Sequence, residues 1–259
     1  MAIKIYQVDS FTDKLFSGNP AAVCPLVEWL DDKILQNIAA ENNLSETAFF
    51  VKKDEIFHLR WFTPKIEVDL CGHATLAAAY VLFKLMNYEN NKIVFESFSG
   101  NLVVTKTDEL ITLDFPSARP RKIEMTDKYF NCINKIPQEV QLNSKLMFVL
   151  KNEDEVRNAV PNFEAISELE SDGLIITAHG NKVDFVSRYF APHAGIPEDP
   201  VTGSAHTILT PYWSEKLNKK KLYARQLSER GGSLICEDFG ERIKISGKAV
   251  LYSVGEIYL

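Results

Sequence analysis

Short runs in which apolar and polar residues alternate recur along most of the 259-residue chain. Alternation with a period of two predicts β-strands that bury one face. Many short strands with few helices favour an α+β fold with curled, barrel-like, mostly antiparallel sheets. The predicted strands lie at 3–8, 47–51, 58–62, 101–105 and 110–115 in the first half, and at 145–150, 173–178, 183–190, 232–239, 242–246 and 255–259 in the second.

Helical periodicity appears in fewer places. Residues 31–42 carry an apolar stripe behind acidic residues, which predicts an amphipathic helix. Residues 74–87 are apolar on nearly every side, so a helix there must be surrounded by protein. Residues 204–217 predict another helix, which Pro211 should kink or break. A further helical stretch is expected near 153–170.

The order of elements repeats in the two halves of the chain. The segments RWFTP at 60–64 and RYFAP at 188–192 share the pattern R-x-F-x-P. Each is followed by a loop, then by Gly72 or Gly203, and then by a predicted helix. An imperfect repeat of this length indicates two similar domains and not a solenoid.

The two domains are expected to span 1–118 and 119–259, with the boundary in the Pro- and Arg-rich stretch at 115–122. A cleft between two such halves is a default place for a small-molecule site.

Composition and charge narrow the possible partners. Lys and Arg number 29 against 35 Asp and Glu, and the net charge of −6 argues against a nucleic-acid binder. The longest apolar stretch, at 70–83, is too short to span a membrane. The first residues are typical of a strand and not of a secretory signal. Four scattered cysteines without paired spacing favour neither a disulfide framework nor a zinc ribbon, so a cytoplasmic location is expected.

Three segments place ionisable residues where core packing does not require them. They are NLSETAFF at 43–50 with Glu46, DLCGHATLAAA at 69–79 with His73, and GIPEDPVTGSAH at 195–206 with Asp199. Each residue also has an ordinary interpretation: a solvated connection for Glu46, a core or capping histidine for His73, and a turn aspartate for Asp199.

The starts of the two later helices add a second signal. The first N–H groups of a helix have no internal partner and attract a carboxylate or an enolate oxygen. His73 can shuttle a proton there, and the helix N-terminus should keep it neutral near pH 7. Two helix starts at matching positions, with Glu46, His73 and Asp199 around them, suit binding a small carboxylic acid and moving a proton on it.

Other chemistries have less support in the sequence. Cys71 at a helix start could be a thiolate nucleophile, although a buried, inert cysteine is the commoner state. Asp69 with His73, or Asp199 with His206, could hold a metal, but HExxH, clustered histidines and paired cysteines are all absent from the sequence. No glycine-rich phosphate loop follows a strand, which disfavours nucleotide use.

Several segments, in order, resemble the phenazine-biosynthesis isomerase-like (PhzF-like) family, which shares its fold with diaminopimelate epimerase. They are VDSFTDKLFSGNPAAV (8–23), NLSETAFF (43–50), RWFTPKIEVDLCGHATLAAA (60–79), ESFSG (96–100) and RYFAPHAGIPEDPVTGSAHTILTPYW (188–213). The resemblance implies two domains, each a barrel-like sheet around a central helix, with the site between them.

The resemblance also implies a cofactor-independent isomerase. In the family's phenazine enzymes, a glutamate matching Glu46 takes a proton from one ring carbon of a dihydro-hydroxyanthranilic acid and returns it to another. The family's catalytic histidine and aspartate match His73 and Asp199. The resemblance implies no metal or organic cofactor. It does imply a homodimer. The substrate-binding positions are expected at Asn19, Cys71, Gly72, Gly203 and Ser204.

One position departs from the epimerase relatives, which use two cysteines as bases. Cys71 occupies the first of these positions, but Thr202 stands at the second. A two-thiol racemase is therefore disfavoured, and Glu46 is the better candidate for carrying the proton. A non-catalytic binding protein and a Cys71-dependent epimerase stay open as alternatives, and the physiological substrate is not fixed.

Overall fold

The chain is described over residues 2–259 by a computed structural model. It divides into two units. The first unit contains the residues up to Phe115 together with Ile245–Leu259, and the second contains Pro116–Lys244. The expected boundary near residue 118 lies close to the observed crossing, but the assignment of the last fifteen residues to the second domain was wrong. They return to the first unit because the last strand of the chain pairs with the first.

Strands with both pairing directions build the first unit. They are β1 (Ala2–Ser10), β2 (Asn19–Leu26), β3 (Glu46–Lys53), β4 (Ile56–Phe62), β5 (Glu67–Val68), β6 (Lys92–Ser97), β7 (Gly100–Thr107), β8 (Leu110–Pro116) and β17 (Ala249–Tyr258). Pairing is antiparallel along β17–β1–β2, β3–β4–β5 and β6–β7–β8. It is parallel for β2–β3 and β4–β6.

The helices of the first unit are α1 (Asp32–Asn42) and α2 (Gly72–Tyr80), the latter continued by a π-helical turn over Val81–Leu85. The amphipathic helix predicted at 31–42 is confirmed. It starts behind Asp31, whose carboxylate accepts the Lys33 N–H, and it ends at Asn43 in the left-handed conformation.

Helix α2 is enclosed, as its apolar sequence predicted. Its residues from Gly72 to Ala79 are all buried, and they pack against β1, β2 and β3. Alanine side chains on several faces let the strands approach closely. The helix begins two residues before the predicted start at 74, so His73 lies in its first turn.

The second unit is a mixed sheet with helices. Its elements are β9 (Arg121–Ile123), β10 (Glu139–Leu142), β11 (Leu146–Val149), β12 (Leu174–His179), β13 (Phe185–Phe190), β14 (Lys221–Gln226), β15 (Gly232–Asp238), α3 (Asp127–Phe130), α4 (Glu153–Arg157), α5 (Phe163–Ser167) and α6 (Gly203–Leu217). Strand β16 (Arg242–Gly247) lies where the chain passes from the second unit to the first. Only β11–β12 and β13–β14 pair in parallel among the registered pairs of this unit.

Strand alternation separates two faces in the second unit. Ile176 and Val186 join the cluster that contains residues of α4 and α5. Their sequence neighbours point the other way, since Trp213 of α6 donates Nε1–H to Thr177 Oγ1 (2.9 Å) and stacks on Phe185 at 6.0 Å. The period-two pattern thus places α6 on one face of this sheet.

Two predicted helices differ from the observed ones. The stretch at 153–170 is not one helix, because Pro161 interrupts it and forms an isolated bridge with Ile133. The break expected at Pro211 does not occur, and α6 is continuous from Gly203 to Leu217. Pro211 has no N–H to give to the carbonyl of Thr207, and this carbonyl instead accepts the N–H of Ala118 at 3.1 Å.

Across residues 2–259, no helix combines the length and the apolar character that a membrane crossing requires.

Candidate active site

The first unit brings Glu46, His73 and Asn19 together. Glu46 begins β3, Asn19 begins the parallel strand β2, and His73 lies in the first turn of α2. Glu46 Oε2 is 3.1 Å from His73 Nε2, and Asn19 Nδ2 is 3.1 Å from His73 Nδ1. All three residues are at most 8% exposed. One imidazole thus has a carboxylate at one ring nitrogen and an amide at the other.

The carboxylate beside His73 changes the expected charge of the ring. Burial lowers the pKa of His73, but Cys71 and Glu46 raise it, and the net direction is upward. The neighbouring carboxylate therefore acts against the helix N-terminus, which by itself would favour the neutral ring. The Asn19 amide suits either charge state, because rotating the amide exchanges a donor for an acceptor.

The close contact between Glu46 and His73 leaves hydrogen-bonding capacity unused. Glu46 Oε2 and His73 Nε2 are near enough to attract as charges. However, neither atom makes a well-directed hydrogen bond with any group in residues 2–259. Buried polar atoms in native proteins usually have such partners. The pair can therefore receive a third polar group.

Cys71 lies on the other side of His73. It is the N-cap residue of α2, and its Sγ is 3.5 Å from His73 Nδ1. Burial and the nearby Glu46 raise the pKa of the Cys71 thiol to about 11. A raised pKa favours the neutral thiol, which gives the thiolate alternative less support.

The atoms that Glu46, Cys71 and His73 could offer to a metal lie within 4.8 Å of one another. Their directions do not fit a single ion. Glu46 faces Nε2 of the ring, whereas Cys71 faces Nδ1. The lone pairs of these nitrogens diverge, and a zinc ion must lie about 2 Å from the one it uses. An ion shared by all three side chains would need His73 to turn.

The second unit positions Asp199 by a network of buried polar groups. Gln226 Nε2 donates to the Asp199 carbonyl at 2.7 Å, and the Thr202 N–H donates to Gln226 Oε1 at 2.9 Å. The Thr202 hydroxyl donates to the Asp199 carboxylate. Gly203 and Ser204 then form the first two residues of α6, buried and half-buried respectively. The loop before α6 is thereby fixed.

His206 supports this helix start from within. Its Nδ1 is 2.8 Å from the carbonyl of Thr202, so Nδ1 carries the proton and donates it. Burial lowers the pKa of His206 to about 4, which makes the ring neutral at physiological pH. Thr75 does the same in the first unit, where its hydroxyl donates to the Cys71 carbonyl at 2.5 Å.

Sequence reasoning missed two polar residues that hold these helix starts. The Ser10 hydroxyl donates to the carbonyl of His73 at 2.8 Å, and Gln226 holds the loop before α6. Gln226 had a detectable signal, since it occupies the same buried phase of β14 as Leu222 and Ala224. A polar residue at an apolar position of a strand indicates a buried hydrogen-bonding role.

Comparison with known proteins gives a consistent assignment. Residues 8–255 match the family described as phenazine biosynthesis-like protein. An uncharacterized isomerase of Pseudomonas aeruginosa is 48% identical over the whole of both chains. A phenazine biosynthesis-like domain-containing protein of Homo sapiens is 42% identical over 90% of this chain and 91% of that one.

Solved structures agree with the sequence matches. The crystal structure of a PhzF-family phenazine biosynthesis protein from Enterococcus faecalis has a TM-score of 0.98 and 48% identity, with all of both chains covered. A hydroxyproline epimerase from Agrobacterium vitis is similar in fold alone, with a TM-score of 0.64 and 9% identity over 99% of this chain and 92% of that one. The chain therefore belongs to the phenazine biosynthesis-like (PhzF) family and has the α+β fold that this family shares with epimerases.

Proposed function

We propose that this chain is an isomerase that moves a proton between carbon atoms of a small carboxylic acid without a cofactor. Glu46 is the group that carries the proton. One observation supports this most strongly: the buried Glu46 carboxylate lies 3.1 Å from a histidine in the first turn of α2, and the two facing atoms lack directed hydrogen bonds within residues 2–259. Relatives along the full chain are named isomerases.

The chemistry balances without an external reactant. The Glu46 carboxylate removes a proton from one carbon, and the electron pair of the C–H bond moves into an enolate of the substrate. The same carboxyl group then returns the proton to another carbon. One C–H bond breaks and another forms, so no electrons are gained or lost. In this proposal the Glu46 proton exchanges with solvent between the two transfers, so that in D₂O the returned proton is a deuteron.

The enolate needs positive charge near its oxygens. The N–H groups at Gly72 and His73 belong to the first turn of α2, where the helix dipole is positive. His73, whose pKa the neighbouring Cys71 and Glu46 raise, can add a charged donor beside them. Fixed donors in a buried site stabilise developing charge without reorganisation, and this is commonly the largest contribution to such catalysis.

The finer assignments rest on the family resemblance. A dihydro-hydroxyanthranilate-like acid is the substrate class we propose to test first, and a homodimer stays a prediction. Asp199, Gly203 and Ser204 are proposed to bind the same substrate. A non-catalytic binding protein is the second candidate. It has no specific observation in its favour, since a binding site would not require an acid next to a histidine.

Solvent deuterium incorporation tests the proposal. Purified protein is incubated in D₂O with a panel of unsaturated and amino carboxylic acids, including the dihydro-hydroxyanthranilic acid, and carbon-bound deuterium is read by mass spectrometry. Glu46→Gln runs alongside to remove the signal of contaminating enzymes. The exposed Glu109→Gln is the matched control. The isomerase is supported if carbon-bound deuterium appears with wild type and with Glu109→Gln but not with Glu46→Gln. Binding of a panel acid with no exchange would favour the binding protein.

A further inference from the structure

The repeated R-x-F-x-P motif forms the same interaction in both units. Arg60 donates Nε–H and Nη2–H to the two carboxylate oxygens of Glu67, at 2.6 and 2.7 Å. Arg188 makes the same two bonds to Glu198, at 2.7 and 2.9 Å. These side chains are only 12–24% exposed. Paired charge-assisted bonds of this geometry are among the strongest in proteins.

The rest of the motif supports each arginine. The Arg60 guanidinium lies 5.1 Å from the ring centre of Phe62, and that of Arg188 lies 4.9 Å from the ring centre of Phe190. The chain then reverses, and the Thr63 N–H donates to the carbonyl of Ile66 at 2.8 Å. Each Arg–Glu pair thus links the strand that carries the arginine to the loop that follows it.

The number of residues between each Arg–Glu pair and the helix that follows it is the same in both units. Glu67 precedes Gly72 by five residues, and Glu198 precedes Gly203 by five. The second loop is three residues longer than the first, and all of that difference lies between the arginine and the glutamate. The two loops therefore differ in length between the arginine and the glutamate, and they have the same length between the glutamate and the helix.

We propose that Arg60–Glu67 and Arg188–Glu198 are positioning pairs that set the starts of α2 and α6. The first pair holds the short segment that ends at Cys71 and His73, and the second holds the segment that carries Asp199. The consequence for turnover rests on the proposed function. Displacing a reacting group by about 1 Å can cost a hundredfold in rate, so a loosened segment lowers turnover.

The glutamates are the residues to change, because each arginine has other partners. Arg60 also contacts Asp32 Oδ1 at 2.9 Å, and Arg188 also donates to the carbonyl of Ala159 at 2.7 Å. Glu67→Gln and Glu198→Gln therefore leave no arginine without a partner, and both variants are expected to fold.

Hydrogen–deuterium exchange of the backbone tests the positioning role without a substrate. We expect amide exchange to rise about tenfold at 67–76 in Glu67→Gln and at 198–207 in Glu198→Gln, since each loses a charge-assisted bond. Glu109→Gln, which removes the exposed pair with Lys84, should change neither segment. Unchanged exchange, or a rise spread evenly over the unit, would overturn the proposal.

Two further readouts separate positioning from general stability. In Glu67→Gln, the pKa of His73 measured by NMR should fall, because the contact with Glu46 is no longer held. With an acid that shows exchange in wild type, kcat should fall about tenfold while KM changes less than about threefold. Loosened segments with an unchanged His73 titration and unchanged kcat would reject the positioning role. A failure of the proposed function would appear separately, as wild-type exchange that survives Glu46→Gln.

Discussion

The starts of α2 and α6 share a backbone plan but carry different chemistry. Both N-cap residues, Cys71 and Thr202, are extended and make no side-chain cap. In both, a side chain four residues later donates to the N-cap carbonyl, from Thr75 in one helix and from His206 in the other. In both helices the N-cap residue is thus fixed through its carbonyl and not through its own side chain. The chemistry of each helix start is then decided by the side chains around it.

The difference lies in what surrounds each carboxylate. Glu46 faces an imidazole without a directed hydrogen bond to it, and therefore has capacity for a reacting group. Asp199 already accepts the Thr202 hydroxyl and lies in a network fixed by Gln226. Under the proposed function, the first helix start moves the proton, and the second offers the Asp199 side chain in a fixed position.

Replacing His73 or His206 with glutamine, in two separate variants, should show the largest difference between the two helix starts. His73→Gln removes the ionisable ring beside Glu46, and we expect exchange to slow about a hundredfold or more. His206→Gln keeps a donor for the Thr202 carbonyl and should retain most activity. Turnover and thermal unfolding of both variants provide the measurement. Equal losses of turnover would contradict the comparison.

The two histidines should also respond oppositely to pH. His206 has a folded pKa lowered to about 4 by burial, so its contribution to stability is present above its unfolded pKa and is lost as pH falls. Between pH 6.5 and 4 this loss should reach about 3 kcal/mol in the free energy of unfolding. His73 has a raised pKa, so its contribution is present below the unfolded pKa and is lost as pH rises through the folded one.

Urea unfolding at a series of pH values measures both effects. His206→Gln should remove most of the acid-side loss and leave the alkaline side unchanged. An acid-side slope that is the same in wild type and His206→Gln would show that another group is responsible.

Asp199→Asn should have a smaller effect on turnover than His73→Gln. Asparagine keeps the size and one acceptor for the Thr202 hydroxyl but loses the charge, and we expect about a tenfold slower exchange. Asp154→Asn, an exposed change in the same unit, is the control. Full activity of Asp199→Asn would limit Asp199 to a structural role.

Cys71→Ser should have the smallest effect. Burial and the nearby Glu46 raise the pKa of the thiol to about 11, which favours the neutral form, and serine keeps a polar group beside His73. Exchange should change less than about threefold, as for substitutions that remove no specific mechanism. Loss of activity in Cys71→Ser, with the fold intact, would favour the thiol-dependent epimerase instead.

Much of the candidate site could be predicted from local sequence. Glu46 and His73 stood out because ionisable residues beside apolar runs are uncommon, and the buried character of α2 followed from its composition. Their contact could not be predicted from local patterns, because it depends on the packing of α2 against β3, two elements that are separated in sequence.

The missed features have non-local causes. Alternation did not reveal the strands at Asn19–Leu26 and Lys92–Ser97, which take part in parallel pairs within the first unit. The return of residues 245–259 depends on pairing with β1 at the far end of the chain. The continuity of α6 depends on the N–H of Ala118, which is remote in sequence from Pro211.

Glu46 is proposed to carry the proton, and substitutions of its own side chain test that role. With a panel acid that exchanges in wild type, the rate of carbon deuteration is measured for Glu46→Gln, Glu46→Asp and the control Glu109→Gln. We predict a rate for Glu46→Gln at least about a thousandfold below wild type, an intermediate rate for the shorter but ionisable Glu46→Asp, and an unchanged rate for Glu109→Gln. A folded Glu46→Gln that keeps more than about a tenth of the wild-type rate would contradict the account.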